Sequence, residues 1–293
     1  MKNNKTIRAD IFTEITNNII ESLELNDDVW QMPWAFSLPI RSNDQYYQGI
    51  NCLILSIKAS KESHQFSKWL TFKQAKELGG NVKKGEKSTR IFYCSSIIIK
   101  DKEGNLQKEE EKEIFFRKQY AVFNISQIEN LPAQFYQNEK TNINKSINKH
   151  HEIELLLSNH NVNLVNHDQA SAFYNHKEDL INLPNISKFE SNEAYYATLL
   201  HELSHWTGHK DRLNRNLEHY HNSKENRAKE ELIAEIASMF LTSHFNIKAS
   251  KENHISYLKS WVKILKEDKK AIFEASSKAQ KIFNFLVNET SKN

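Results

Sequence analysis

The sequence predicts an α+β protein of two domains, and three features carry that reading. The first half alternates short helical patterns with two long runs rich in β-branched and aromatic residues. These runs, Arg90 to Ile99 and Ile114 to Ile125, flank a charged stretch from Asp101 to Glu113 and read as one long β-hairpin. The second half is mainly helical in its periodicity. Between them Gln137 to Lys149, rich in Asn and Lys and nearly free of large apolar side chains, has the composition of a linker. Domains at 1–138 and 150–293 follow. Histidine marks the same division: the chain holds 13, and only His64 precedes position 150.

Taken in order, Ile7, Ile11, Ile15, Ile19, Ile20 and Leu23 recur at helical spacing and predict an amphipathic first helix. Val29 to Trp34 is a loop with two tryptophans and a proline, and Cys52 to Leu55 is a short helix or strand. Trp69 to Ala75 opens a helix with Thr71 as its cap and Gly79-Gly80 as its stop. Val82 to Lys87 is a basic turn leading into the hairpin. Past the linker, a helix begins at His151 to Leu157 and a strand runs through Val162 to Val165. Ala172 to Tyr174 and Leu180 to Pro184 pair as a second hairpin. The tail, with Leu258, Trp261, Val262, Leu265, Ile272, Ala275, Ala279, Ile282, Phe283 and Leu286, is a helical pair or one bent helix closing the core.

The stretch His201 to His205 reads His-Glu-Leu-Ser-His. On a helix, residues four apart project from one face about 6 Å apart along the axis, so two imidazoles can share one zinc ion. Glu202 then stands beside that ion, where a carboxylate can take a proton from water and pass it to a leaving amine, the chemistry of metallopeptidases. A shuffled chain of this composition would hold about 0.05 such patterns, so chance explains it poorly. Tyr196, Leu199, Leu200 and Leu203 form the apolar stripe of a helix from about 192 to 207. Ser191 or Asn192 caps it and Gly208 stops it.

Catalytic zinc usually keeps three protein ligands. Asp211 stands where the pattern His-Glu-x-x-His-x-x-Gly-x-x-His puts its last ligand, but the methionine turn of that class is missing, since Met239 falls in a helical run. The other source is Lys229 to Phe240, where Leu232, Ile233, Ile236, Met239 and Phe240 form a buried stripe and Glu231 and Glu235 stack one turn apart. In the preferred assignment Glu231 ligates and Glu235 orients a histidine, although the order of the two can be reversed.

Hydrophobic content of 39% and a mean hydropathy of −0.69 describe a polar protein, and no apolar run approaches the roughly 18 residues of a membrane span. The polar start Met1 to Lys5 shows no secretory signal. Cys52 and Cys94, the only cysteines, are too few for a disulfide framework, and together these features predict the cytoplasm. Net charge is only +3, but Lys58 to Arg90 holds nine basic residues against three acidic. Aromatic residues interleaved with lysines suit single-stranded nucleic acid, with rings stacking on bases and ammonium groups neutralising phosphates. Trp30, Trp34, Trp69 and Phe72 can also be the core of a small domain, and sequence physics alone favours that bland alternative.

A colinear series of stretches adds to this reading: Pro33-Trp34, Tyr47-x-Gly49-Ile50-Asn51, Trp69 to Ala75, Lys84-Gly85-Glu86-Lys87, Val122-Phe123-Asn124 and His201 to Gly208. Arg212-Leu213-Asn214-Arg215, Glu230-Glu231-Leu232 and Ala279-Gln280-Lys281 extend it. In these the chain resembles the ArdC antirestriction proteins of conjugative plasmids and related mobile elements, along nearly its whole length. The resemblance implies an N-terminal single-stranded-DNA-binding domain, similar to one in plasmid primases, followed by a zincin-like metallopeptidase domain. It raises the stacking reading above the core one, with Trp34, Asn51, Trp69, Phe72, Lys73, Lys83, Lys84 and Lys87 as DNA-binding candidates. Three functions stay open: shielding of incoming single strands from restriction with the zinc domain acting on a protein target, a DNA-tethered protease, and a zinc-stabilised DNA-binding module without peptidase activity.

Overall fold

A computed structural model of the chain describes residues 12–21, 24, 38–99, 112–136, 146–219, 223–247 and 255–288. The loop around Trp30 and Trp34, residues 101–111 of the hairpin tip and residues 137–145 of the linker lie outside the described residues, whereas Lys112 and Glu113 belong to a strand and residues 146–149 of the expected linker to a helix. Among the described residues no helix is long and apolar enough to cross a membrane.

The chain is α+β and packs as two compact units, one formed by Ile40–Gln45 and His64–Asn138, the other by Met1–Pro39, Tyr46–Ser63 and Glu139–Asn293. In the first, strand β1 (Trp69–Thr71) pairs antiparallel with β4 (Lys112–Asn124), and β4 with β3 (Thr89–Ile99), in the order β1-β4-β3. The short strands β2 (Asn81–Val82) and β5 (Ile128–Glu129) make a second ladder. The long hairpin is therefore present, and the expected cap at Thr71 holds, but Trp69 and Leu70 before it lie in a strand and not in the opening of the helix. Thr71 is its N-cap: the hydroxyl accepts from Gln74 N at 3.2 Å and the Gln74 side chain accepts from Thr71 N at 2.9 Å. A cap has extended backbone, so Trp69 and Leu70 before it join the sheet, both fully buried, and the helix is confined to Phe72–Glu77. Leu70, Ala75, Ile125, Ile128 and Leu131 form the core beneath.

The second unit is mainly helical. A helix over 12–21, α1, buries Ile15, Ile19 and Ile20 and is tied to the tail by Thr16 Oγ1 donating to Lys269 O at 2.7 Å. Helix α2 (Gly49–Lys61) belongs here as well. Its Cys52, Leu53, Leu55, Ile57 and Ala59 are buried, and Gly49 N donates to Gln280 Oε1 at 2.8 Å, joining two stretches 231 residues apart. The contiguous division at 138 drawn from sequence thus differs from the packing, because α2 finds its apolar partner among the tail helices.

Further along come α4 (Ser146–Asn159, α3 being Phe72–Glu77), α5 (Asn192–Trp206), α6 (Lys224–Phe245), α7 (Ile255–Glu267) and α8 (Ala271–Phe283). Strands β6 (Leu164–His167), β7 (Phe173–Asn175) and β8 (Leu180–Pro184) form a sheet in the order β6-β8-β7, with β6 parallel and β7 antiparallel to β8. The hairpin β7–β8 matches the sequence reading, whereas the parallel pairing of β6 carried no local signal. Helix α5 packs on this sheet with one side and on α6 with another, and α6 in turn rests on the tail pair.

Candidate metal centre and nucleic-acid interface

Helix α5 begins at Ser191, whose hydroxyl accepts from Ala194 N at 3.1 Å, with Glu193 in the first turn where helix N–H groups favour negative charge. Tyr195, Tyr196, Leu199, Leu200, Leu203 and Trp206 are buried and fix the helix, so its histidines are held rigidly toward α6. Helix α6 buries not only its apolar stripe but also Glu230, Glu231 and Glu235. A carboxylate so deep requires donors or a cation, and these three meet the motif histidines.

Glu231 Oε2 lies 3.5 Å from His201 Nε2 and 3.6 Å from His205 Nε2. Both separations exceed an ordinary N–H···O bond of about 2.9 Å. Two donors held about 2.1 Å from one tetrahedral ion stand about 3.4 Å apart, so the spacing suits a shared cation. One donor atom from each of His201, His205 and Glu231 lies within 4.8 Å of the others. The opposite ring nitrogens face different carboxylates, with His201 Nδ1 3.2 Å from Glu235 Oε2 and His205 Nδ1 3.2 Å from Glu230 Oε1. An N–H held at Nδ1 leaves the Nε2 lone pair for a metal. This donor set fits a divalent cation.

Electrostatics agree. Burial opposes the imidazolium of His205, but Glu230 and Glu231 outweigh it and raise the group from 6.5 to about 9. His201 is likewise raised well above its ordinary range, against burial, by Glu231 and Glu235, with Glu202 adding its charge. Burial would raise the Glu231 carboxyl, yet the two histidines hold it far below the usual carboxylate range.

The structure thus brings Glu231 to His201 and His205 and puts Glu235 behind His201. Glu202 is buried on the same turn of α5. Asp211 is left on the surface, its side chain 73% exposed and 3.4 Å from His209. Sequence reasoning missed the role of Glu230, paired with the buried Arg215 at 2.8 Å. The available signal was a third carboxylate in an otherwise apolar, buried run.

In the first unit Lys73, Lys83, Lys84 and Lys87 are exposed, although Lys83 Nζ also donates to Ser126 O at 2.8 Å. Phe72 is 53% exposed with Lys76 Nζ 5.8 Å from its ring centre. Trp69 corrects the sequence reading: it is fully buried, edge-on to His64 at 5.5 Å, and offers no face to a base. Asn51 lies on α2 and belongs to the helical unit, and Trp34 is outside the described residues. Two exposed rings were overlooked, Tyr93 at 52% and Tyr120 at 42%. They share one face of the ribbon with exposed Lys118, since Ile91 pairs with Tyr120 and Tyr93 with Lys118.

Residues 151–278 match the model of a zincin-like metallopeptidase, and residues 9–123 match the N-terminal domain of anti-restriction factor ArdC. The chain is 34% identical to a DNA primase TraC of Escherichia coli over 96% of its own length and 27% of that protein. A second TraC primase of Escherichia coli is 34% identical over 93% of this chain and 19% of that protein, so the chain spans about a quarter or less of these relatives. The crystal structure of the metal-free antirestriction ArdC protein from plasmid R388 superposes with a TM-score of 0.80 at 35% identity, covering 96% of this chain and 98% of that one. Its Mn(II)-bound form gives 0.76 at 34% identity, with the same coverage. With both halves matched and a relative aligned nearly end to end, the chain belongs to the ArdC antirestriction family.

Proposed function

We propose that this ArdC-family chain binds single-stranded DNA through its basic unit and holds one divalent cation between α5 and α6, where Glu202 serves as general base and acid toward a protein substrate. The observation that carries the reading is the convergence of His201 Nε2, His205 Nε2 and Glu231 Oε2, with both Nδ1 atoms turned to separate carboxylates. Zinc is the cation that two imidazoles and a carboxylate suit, and manganese, present in the R388 relative, is the second to test. When bound, the cation supplies Lewis-acid polarisation of a scissile carbonyl. His201, His205 and Glu231 hold it, while Glu202, buried beside them, takes a proton from the attacking water and returns it to the departing amine. On the other unit Lys73, Lys83, Lys84 and Lys87 neutralise phosphates, and Phe72, Tyr93 and Tyr120 replace Trp69 as stacking rings. DNA binding brings the chain to incoming single strands, and the metal unit acts on a protein there to keep restriction from the transferred DNA.

The test is Glu202→Gln in the full chain. It is expected to keep zinc and single-strand affinity while losing hydrolysis and, in cells, protection of transferred DNA. Undiminished cleavage by the variant would place the chemistry elsewhere. Undiminished protection without cleavage would show that the chain protects by binding alone.

A further inference from the structure

Beneath the metal centre, Arg215 reaches back under the end of α5. Its side chain is 5% exposed. Nη1 donates to Thr207 Oγ1 at 2.7 Å, Nη2 to Ser204 O at 2.6 Å and to Glu230 Oε1 at 2.8 Å, and Nε lies 3.2 Å from both Glu230 oxygens. A Cβ built on Gly208 would stand 2.9 Å from Arg215 Nη2 and 3.0 Å from His205 O. The same Cβ would stand 2.9 Å from Leu217 Cδ1, so glycine at 208 leaves room for both the guanidinium and Leu217.

Two consequences follow at the centre. Ser204 O belongs to the last turn of α5, where carbonyls lack helical partners, and it receives a charged donor at the negative end of the helix dipole. Glu230, gripped by the guanidinium, is left with Oε1 3.2 Å from His205 Nδ1. A buried ion pair is weak support for stability, because desolvation offsets most of its attraction. An Arg–Glu pair directly behind a metal-facing histidine is better explained by the orientation it imposes. Arg212 is a natural contrast. It braces the same loop, with Nε donating to Trp206 O at 2.7 Å and the guanidinium 3.7 Å over the Trp206 ring, but it turns toward Asp179 and Tyr174 at the β7–β8 hairpin.

We infer that Arg215 is a positioning residue of the metal centre, setting the orientation of His205 through Glu230. The inference rests on the proposed cation site. Zinc affinity of the full chain, measured by competition with a chromophoric chelator, tests it in the wild type, Arg215→Ala, Arg215→Lys, Glu230→Gln, the Arg215→Ala/Glu230→Gln double variant and Arg212→Ala. Arg215→Ala and Glu230→Gln should each weaken zinc binding about 10- to 100-fold. The double variant should match the weaker single within about twofold, since both act along one path. Arg215→Lys, which keeps one donor, should fall between. Arg212→Ala should lower the melting temperature and leave zinc affinity within about twofold. Should Arg215→Ala fail to fold by circular dichroism, Glu230→Gln and Arg215→Lys decide, because both keep the side-chain volume. Unchanged affinity in the folded Arg215 and Glu230 variants, additive losses in the double, or an equal loss in Arg212→Ala would overturn the inference alone. A wild type that binds no zinc would overturn it together with the cation site.

Discussion

At the scale of single residues, the centre depends on how each imidazole divides its two nitrogens. Glu235 and Glu230 take Nδ1 of His201 and His205, so that both Nε2 atoms face Glu231. The same carboxylates make the metal-free stability pH-dependent in a defined direction. His205 is raised from 6.5 to about 9, so its contribution is fully present below 6.5 and lost as pH rises through about 9. Glu231 is lowered, so its contribution is present above 4.5 and lost as pH falls below that. Thermal melts of the chelated protein should therefore be highest between pH 4.5 and 6.5 and decline toward pH 9. Zinc reverses the alkaline trend, because ligation needs neutral imidazoles and releases their protons, and the zinc-induced rise in melting temperature should grow from pH 6 to 9. A zinc shift independent of pH would mean that the histidines are not ligands.

At the scale of elements, the legibility of the sequence tracked how local each signal was. The motif helix was readable nearly to its ends, because Ser191 and the spacing of Leu199, Leu200 and Leu203 are local facts. Glu231 and Glu235 were readable as an i, i+4 pair on a buried helix, while Glu230 was legible only as a further carboxylate in a buried run, its partner being fixed by the crossing of α5 over α6 that brings it to His205. Trp69 was misread for a related reason. An aromatic residue among lysines has the same sequence whether it lies in a core or on a surface, and the pairing of Trp69 with Asn124 is what buries it. Tyr93 and Tyr120 escaped notice because their exposure depends on how far the ribbon extends past its covered part. Substitutions separate these roles. Trp69→Ala should cost about 3–5 kcal/mol of stability by leaving a cavity. Phe72→Ala and Tyr93→Ala should leave the melting temperature nearly unchanged and weaken single-strand binding by about 1–3 kcal/mol each where the ring stacks. Equal effects on stability from all three would remove the stacking surface from the proposal.

At the scale of the whole molecule, the family match runs through residues 9–123 as one N-terminal domain, whereas packing assigns α2 to the helical unit. The tie from Gly49 N to Gln280 Oε1 gives two distant stretches of the family resemblance a shared physical reason. A fragment ending at residue 138 would leave Leu53 and Leu55, both fully buried, without their partners. It should bind a hydrophobic dye and melt below the full chain, so DNA binding is best measured on the intact protein. Binding there should favour single strands over duplex and weaken as salt rises, through counterion release. The central claim, that α5 and α6 together hold one divalent cation, is tested most directly by calorimetric titration of zinc and manganese into the wild type, Glu231→Gln and Asp211→Ala. The expected result is one ion per chain in the wild type, about 100-fold weaker binding in Glu231→Gln, and no change in Asp211→Ala. Full affinity in Glu231→Gln, or loss of the ion in Asp211→Ala, would contradict it.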